Sequence, residues 1–233
     1  ILLNGASQNI AIGRYALAAA VNPTTPCLAI GSAALRYATG ADNVAVGHSA
    51  LGALTTGTIN TAVGINAAAA AVTVNQIAAF GYNAARYFTG GRNTAIGHGA
   101  MVGVNGSSTG ERNVAVGDNA AFQLTTGSRN TVLGPSAGGT MTTGTDNILI
   151  GYNCDVSSPT STNQMNIGNA LFGNLSSKSL RVGAVGPTAR LHLPASTTSA
   201  SSAPLKFETG TLMTTPEVGA VEFDGTKLYV TIT

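Results

Sequence analysis

Residues 43–51 read NVAVGHSAL. The same phrase returns as NIAIGRYAL from Asn9, NTAIGHGAM from Asn93 and NVAVGDNAA from Asn113. Anchored on its glycine, it recurs at Gly13, Gly31, Gly47, Gly64, Gly81, Gly97, Gly117, Gly134, Gly151 and Gly168, with gaps of 18, 16, 17, 17, 16, 20, 17, 17 and 17 residues. Self-similarity at a short period marks a solenoid, whose units bury their apolar faces on one another. Ten coils of about 17 residues are therefore expected over residues 1–175.

Each position in the unit has its own physical demand. The residue before the glycine is apolar in every unit: Ile12, Ile30, Val46, Val63, Phe80, Ile96, Val116, Leu133, Ile150 and Ile167. Two residues earlier stands an apolar residue or threonine, as at Val44, Thr61, Val114 and Ile148. That alternation predicts a strand with these side chains on its buried face. Alanine lies between them in the seven units from Ala11 to Ala115, where a second backbone would pack close. The glycine predicts a tight corner or a close approach. Alanine follows three residues later in eight units, with Leu17, Leu35, Leu51 and Met101 in the next slot, and predicts a second short strand. A second glycine ends a T-T-G or T-G turn at Gly40, Gly57, Gly90, Gly110, Gly127 and Gly144. Variation in coil length belongs on that turn side.

Asn9, Asn43, Asn60, Asn93, Asn113, Asn130 and Asn147 open the phrase. Stacked at about 4.8 Å, they can pass hydrogen bonds along a ladder. A structural role is the main expectation for them, and contact with a glycan the lesser. Two strands and two turns per coil leave a thin interior. Association along the alanine face, most economically as a closed trimer, would bury more.

Composition agrees with a repeat. The 233 residues include 30 glycines and no tryptophan; 9% are charged and 5% aromatic. An enzyme core rich in large aliphatic and aromatic side chains is a poor fit. Glycine lacks the period of three that collagen requires, and the low charge is opposite to the signature of disorder. A net charge of +2 without a basic tail argues against nucleic acid. No run approaches the length of a membrane helix, the longest apolar stretch being 67–72. Opening at Ile1, the sequence reads as a fragment or processed product.

The phrases NVAVGHSAL, NTAIGHGAM and NVAVGDNAA resemble the head repeat of trimeric autotransporter adhesins, approximately N-S-V-A-I-G-x-x-A. Similar repeats spaced by T-T-G turns occur in bacteriophage tail fibres. The resemblance implies a left-handed parallel β-roll, trimerised about a long axis. It covers about three quarters of the chain; its units are longer than the adhesin's, and Cys27, Ile77 and Gln164 replace the asparagine. ARLHLPA at 189–195, APLKFETGTLMTTPE at 203–217 and GAVEFDGTKLYVT at 219–231 resemble the segment that often precedes the self-cleaving chaperone of phage tail fibres. Independently, 221–223 and 228–232 alternate as strands around a D-G turn at Asp224 and Gly225. The expected organisation is a roll over 1–175, a connector over 176–204 with a Ser/Thr/Ala/Pro linker at 194–204, and a small β-rich module over 205–233.

Site chemistry is sparse. Acyltransferase hexapeptides would need a strict period of six, which the gaps break. Glycoside hydrolysis needs two carboxylates about 5–9 Å apart. Glu111 and Asp118 are the best pair, with ion pairing to Arg112 or Arg129 the simpler role. His48 and His98 share a slot about 14 Å apart, too far for one metal ion, and read as surface residues. Cys27 and Cys154 fall about 34 Å apart, beyond disulfide reach. Arg92, Arg112 and Arg129 each precede an asparagine on consecutive coils, with Glu111 and Asp146 near enough to compensate them. That column, with Tyr82 and Tyr152, is the candidate surface for glycan contact; Tyr15, Tyr37 and Tyr87 also lie near corners. No catalytic residue, metal or cofactor is expected. The sequence thus predicts a non-catalytic homotrimeric fibre segment for attachment to a glycan or protein receptor on a host cell, outside the cell as part of a virion tail fibre with other fibre proteins. A bacterial surface adhesin is the alternative, and a capsule depolymerase a distant third.

Overall fold

Short runs of β-branched residues alternating with alanine form strands in the computed structural model, as their pleat preference dictates. They are β1 (Ile10–Ile12), β2 (Cys27–Ile30), β3 (Asn43–Val46), β4 (Thr61–Val63), β5 (Ala78–Phe80), β6 (Thr94–Ile96), β7 (Val114–Val116), β8 (Thr131–Leu133), β9 (Ile148–Ile150) and β10 (Gln164–Ile167). Each pairs in parallel with the next. The chain is an all-β parallel solenoid, with nine turns joining ten strands. The structure describes residues 9–18, 26–182, 191–192, 221–223 and 226–230.

The faces of the strands are inverted relative to the sequence expectation. Ala29, Ala45, Ala62, Ala79, Ala95 and Ala115 stack in register and are fully buried. Their larger neighbours turn outward: Ile10 is 53% exposed, Ile12 59% and Ile96 41%. The opposite wall explains the inversion. It carries the large side chains of the core, Leu17, Leu35, Leu51, Leu54, Phe88, Met101, Leu124 and Met141, all buried, so the strands facing it supply the small ones. Where Gly138 thins that wall, the strand side grows to Val132 and Leu149, whose methyl groups fill the space. The alanine face is therefore internal, and association along it is excluded.

The second wall is not a strand. After each glycine the chain alternates into the left-handed region, as at Ala33 (φ 58°) and Leu35 (48°), then Ser49 (53°) and Leu51 (50°). Successive tight turns follow, with Ala50 N–H donating to Gly47 O at 3.3 Å and Gly52 N–H to Ser49 O at 3.1 Å. The intervening amides reach neighbouring coils: Ser49 N–H donates to Ser32 O at 2.9 Å and Leu51 N–H to Ala67 O at 3.0 Å. Every second amide thus stitches coils together, offsetting a left-handed cost of about 1–2 kcal/mol per residue.

Two rows of glycines let the coils approach. Gly47 has φ +134°, and a methyl group there would fall on the carbonyl of Gly64. At Gly57 the demand is for space alone, since a methyl would strike the Val74 carbonyl. The 20-residue coil carries its extra length on the turn side, as expected. Val104 N–H donates to Ser108 Oγ at 2.7 Å and Ser107 N–H to Val104 O at 3.0 Å, while Gly106 stands clear of neighbours.

Gly168 departs from its row, with φ +62° and open space beside it. Here the chain reverses into β11 (Leu171–Asn174), antiparallel to β10, so the tenth repeat opens a hairpin instead of a further coil. β12 (Ser179–Val182) and β13 (Leu191–His192) extend the same sheet, carrying it into the span expected to be a connector. Buried Asn166 closes the core below Leu149, donating to Asp155 O at 2.9 Å.

The chain divides into two compact units, Ile1–His192 and Leu193–Thr233. In the second, β14 (Val221–Phe223) and β15 (Leu228–Val230) form the expected antiparallel hairpin. The D-G turn at 224–225 and the linker at 194–204 lie outside the described residues.

Candidate functional site

The asparagines form a continuous bonding system wherever they are consecutive. Asn60 Nδ2 donates to Asn43 Oδ1 at 2.9 Å and to Val74 O at 2.8 Å. Asn93, Asn113, Asn130 and Asn147 repeat the pattern, each later amide donating to the Oδ1 before it at 3.0–3.1 Å. At the head of each run, where no earlier oxygen exists, Nδ2 turns to its own coil: Asn43 to Gly40 O at 3.0 Å and Asn93 to Gly90 O at 2.8 Å. Asn9 Oδ1 accepts the Cys27 N–H at 2.7 Å. Those from Asn43 to Asn147 are buried with their donors and acceptors engaged, which is a structural role and leaves nothing for a sugar to meet.

Two long edges flank the ladder of strands. On one, the residue before each asparagine takes a left-handed turn, as at Arg92, Arg112 and Arg129 (φ 57–59°). Their guanidiniums are engaged by neighbours. Arg129 holds Asp146 through two bonds of 2.7 Å, Arg112 lies 3.4 Å from Glu111, and Arg92 donates to Gln76 Oε1 at 3.0 Å. The hydrogen bond from Arg129 holds the Asp146 carboxyl below the usual carboxylate range, and Asp146 raises the Arg129 guanidinium. A polar groove of about 210 Å³ includes Asn75, Gln76, Arg92 and Glu111 in its lining.

The other edge follows the anchor glycine. There the Tyr82 ring stacks on His98 at 5.3 Å, and His98 Nδ1 lies 3.0 Å from Asp118 Oδ1. Both partners of that pair, and His48, are exposed. Tyr152 is 75% exposed on the same edge. The strands separate these tyrosines from the arginine column, so the structure does not bring the two halves of the expected glycan surface together. Glu111 and Asp118 likewise sit at opposite ends of β7, one bound to Arg112 and the other to His98; they do not form a facing acid–base pair. Cys27 and Cys154 are both free and buried, and burial pushes the Cys27 thiol up.

Between the edges lies the outward strand face. Val44, Val46, Val63, Val114, Val116, Leu133, Ile148 and Ile150 continue the row set by Ile10 and Ile12, with Thr61, Thr94 and Thr131 in the same register and without a charged side chain. Across ten strands this apolar stripe runs about 43 Å.

Sequence reasoning missed one cluster. Arg14 Cζ lies 4.6 Å from the Tyr15 ring centre, and Arg36 Cζ lies 5.0 Å from the rings of both Tyr15 and Tyr37. Arg86 repeats the arrangement at 4.9 Å over Tyr87. The signal was present as RYATG at 36–40 and RYFTG at 86–90.

Among the described residues, no group of three or more potential metal ligands comes together, and no helix is long and apolar enough to cross a membrane. Comparison with family models, curated proteins and solved structures finds no match to the chain.

Proposed function

We propose that the chain is a non-catalytic segment of a homotrimeric extracellular fibre that attaches to a host cell surface. The outward apolar stripe carries this reading. Its projected area is about 400 Å², the size of the largest and often functional apolar patch on a monomer. Uncharged, it repeats at the coil spacing, so a second copy offers a matching repeat at every step. Three copies facing one axis cover all three stripes and close the assembly, leaving no stripe to recruit a fourth. The two corner edges, with their tyrosines and arginines, then face outward in three copies, where weak contacts to surface glycans add by avidity. Resemblance to phage tail-fibre repeats and to their C-terminal segment supports a virion fibre as the setting.

Light scattering on the whole chain tests the assembly. A mass near three times the 23.1 kDa chain is expected, and a stable monomer overturns it. Binding of the labelled protein to a panel of bacterial strains tests the attachment; no saturable binding to any strain would count against it.

A further inference from the structure

We propose that Arg14, Tyr15, Arg36 and Tyr37 form a binding site for carboxylate-bearing sugars of a host polysaccharide. The attachment reading supplies its biological purpose, but the chemistry stands on the cluster itself.

Charge is the first observation. Residues 1–41 contain Arg14 and Arg36 and no aspartate or glutamate. The first carboxylate, Asp42, sits at the far end of its strand, on the opposite edge of the ladder. Arg112 and Arg129 each have a carboxylate partner, whereas these two guanidiniums lie over tyrosine rings, and Arg14 Nη2 also donates to the Tyr15 hydroxyl at 2.6 Å. Over a ring, the Arg36 guanidinium keeps its N–H fork at the edge, shaped to grip a carboxylate through two bonds, and Arg14 adds the N–H groups its bond to Tyr15 leaves over. Tyr15 and Tyr37 are 41% and 42% exposed, so ring area remains for the apolar face of a sugar.

Backbone conformation is the second and independent observation. Tyr15 adopts φ 62°. The equivalent slot in later coils holds Ala33, Ser49, Asn66, Asn83, Gly99, Asn119, Ser136 and Asn153. These are small residues or asparagine, which tolerate the left-handed region. Tyr15 is the one bulky side chain in the row. The fold asks there only for a left-handed turn, which small residues and asparagine meet at less cost, so the ring is a feature the coil itself does not account for. Hydrogen bonds from Ala33 N–H to Arg14 O at 2.8 Å and from Leu17 N–H to Ala34 O at 3.1 Å lock the two coils together. The four side chains are thereby held on a rigid base, which lowers the ordering cost of binding. The Arg86–Tyr87 pair lies three coils further, about 14 Å along the axis, as a second contact for an extended acidic chain. A nucleic acid would stack on tyrosine as well, but it needs a basic groove that two guanidiniums do not make.

Calorimetric titration of the whole protein with tetragalacturonate tests the proposal, with neutral maltotetraose, inorganic phosphate and a short oligothymidylate as parallel probes. Saturable binding of tetragalacturonate is expected, with none of maltotetraose. R14Q/R36Q should weaken it at least tenfold at an unchanged Tm, and R92Q/R112Q/R129Q should leave it within twofold. Tyr15→Asn should weaken binding while raising Tm, an opposition that a purely structural tyrosine would not produce. The proposal is overturned if tetragalacturonate does not bind, if R14Q/R36Q binds it as well as the native chain, or if phosphate or oligothymidylate binds as tightly. Cell binding is measured on the same samples. A native protein that binds cells but not tetragalacturonate loses this site and keeps the attachment reading; one that binds tetragalacturonate and no cell does the reverse.

Discussion

Asn130 reaches Asn113 Oδ1 twice, through its main-chain N–H and through Nδ2, both at 3.0 Å. One amide oxygen thereby closes two bonds across a coil boundary, while the other Nδ2 hydrogen goes to Gly144 O at 2.8 Å. Removing Asn113 strips partners from both neighbouring coils inside a dry core. Asn113→Ala is expected to lose about 3 kcal/mol in denaturant unfolding. Asn113→Asp should be worse, because its carboxylate would face the Asn93 oxygen and the Gly127 carbonyl with no hydrogen to offer. A loss below about 1 kcal/mol for the alanine variant would remove the ladder from the account of stability.

Gly64 and Gly106 both have positive φ, at +137° and +75°, but only Gly64 lies against a neighbouring backbone. Gly64→Ala combines backbone strain with a collision on the Gly81 carbonyl, and about 3 kcal/mol or more should be lost, or folding should fail. Gly106→Ala should lose about 1 kcal/mol. Equal losses in thermal melts would mean that coil spacing is not set by the glycine row.

Ala95 points into the core and Ile96 out of it. Ala95→Leu should destabilise the chain by about 1–3 kcal/mol through overpacking. Ile96→Ser should leave chain unfolding nearly unchanged once assembly is disrupted, and lower the mass in light scattering. The opposite ranking would restore the sequence-based orientation of the strands.

Asp146 is held ionised by Arg129, its folded value lying below the unfolded one. The pair's contribution is therefore present above the unfolded carboxylate value and fades as pH falls through the folded one. Tm should drop more between pH 7 and pH 2 in the native protein than in Asp146→Asn. The difference should be small, because the pair is solvent-exposed.

Buried Cys27 and Cys154 should resist a water-soluble thiol reagent at pH 8 in the folded protein and react with it fully in denaturant. Rapid labelling of either thiol under native conditions would contradict the packing of its coil.

The coil period was legible because two rows of residues answer demands that few side chains can meet. Glycine alone fits where backbones touch, as at Gly47 and Gly57, and asparagine alone both donates and accepts at Asn113. Strand orientation was not legible. In V-A-V both parities fit an alternating strand, and hydrophobicity alone favours the larger side chains inside. Large residues such as Leu51 and Leu54 fill the core from the other wall, and Ala45 and Ala62 are the strand residues buried with them. The left-handed wall was hidden for a related reason: Leu35 and Leu51 occupy conformations that Asn66 and Asn119 advertise and leucine does not. At the candidate site, the arginine column attracted attention through its register with the ladder, and Glu111 and Asp146 explain it. The Arg14–Tyr15–Arg36 stack joins residues from unlike slots of two coils, a neighbourhood that only the wound chain creates.

Ser108 ties off the longest coil at its base, with its hydroxyl donating to Val104 O at 3.2 Å and its carbonyl accepting from Thr89 at 2.8 Å. Residues 105–107, closed off by the Val104–Ser108 bonds, add no step to the stacking, since β6 and β7 pair in the usual register. Peptide grafted at Gly106 would thus be displayed on the flank of the solenoid while the coils above and below keep their pitch, giving the repeat a socket for new sequence without a change in its stacking.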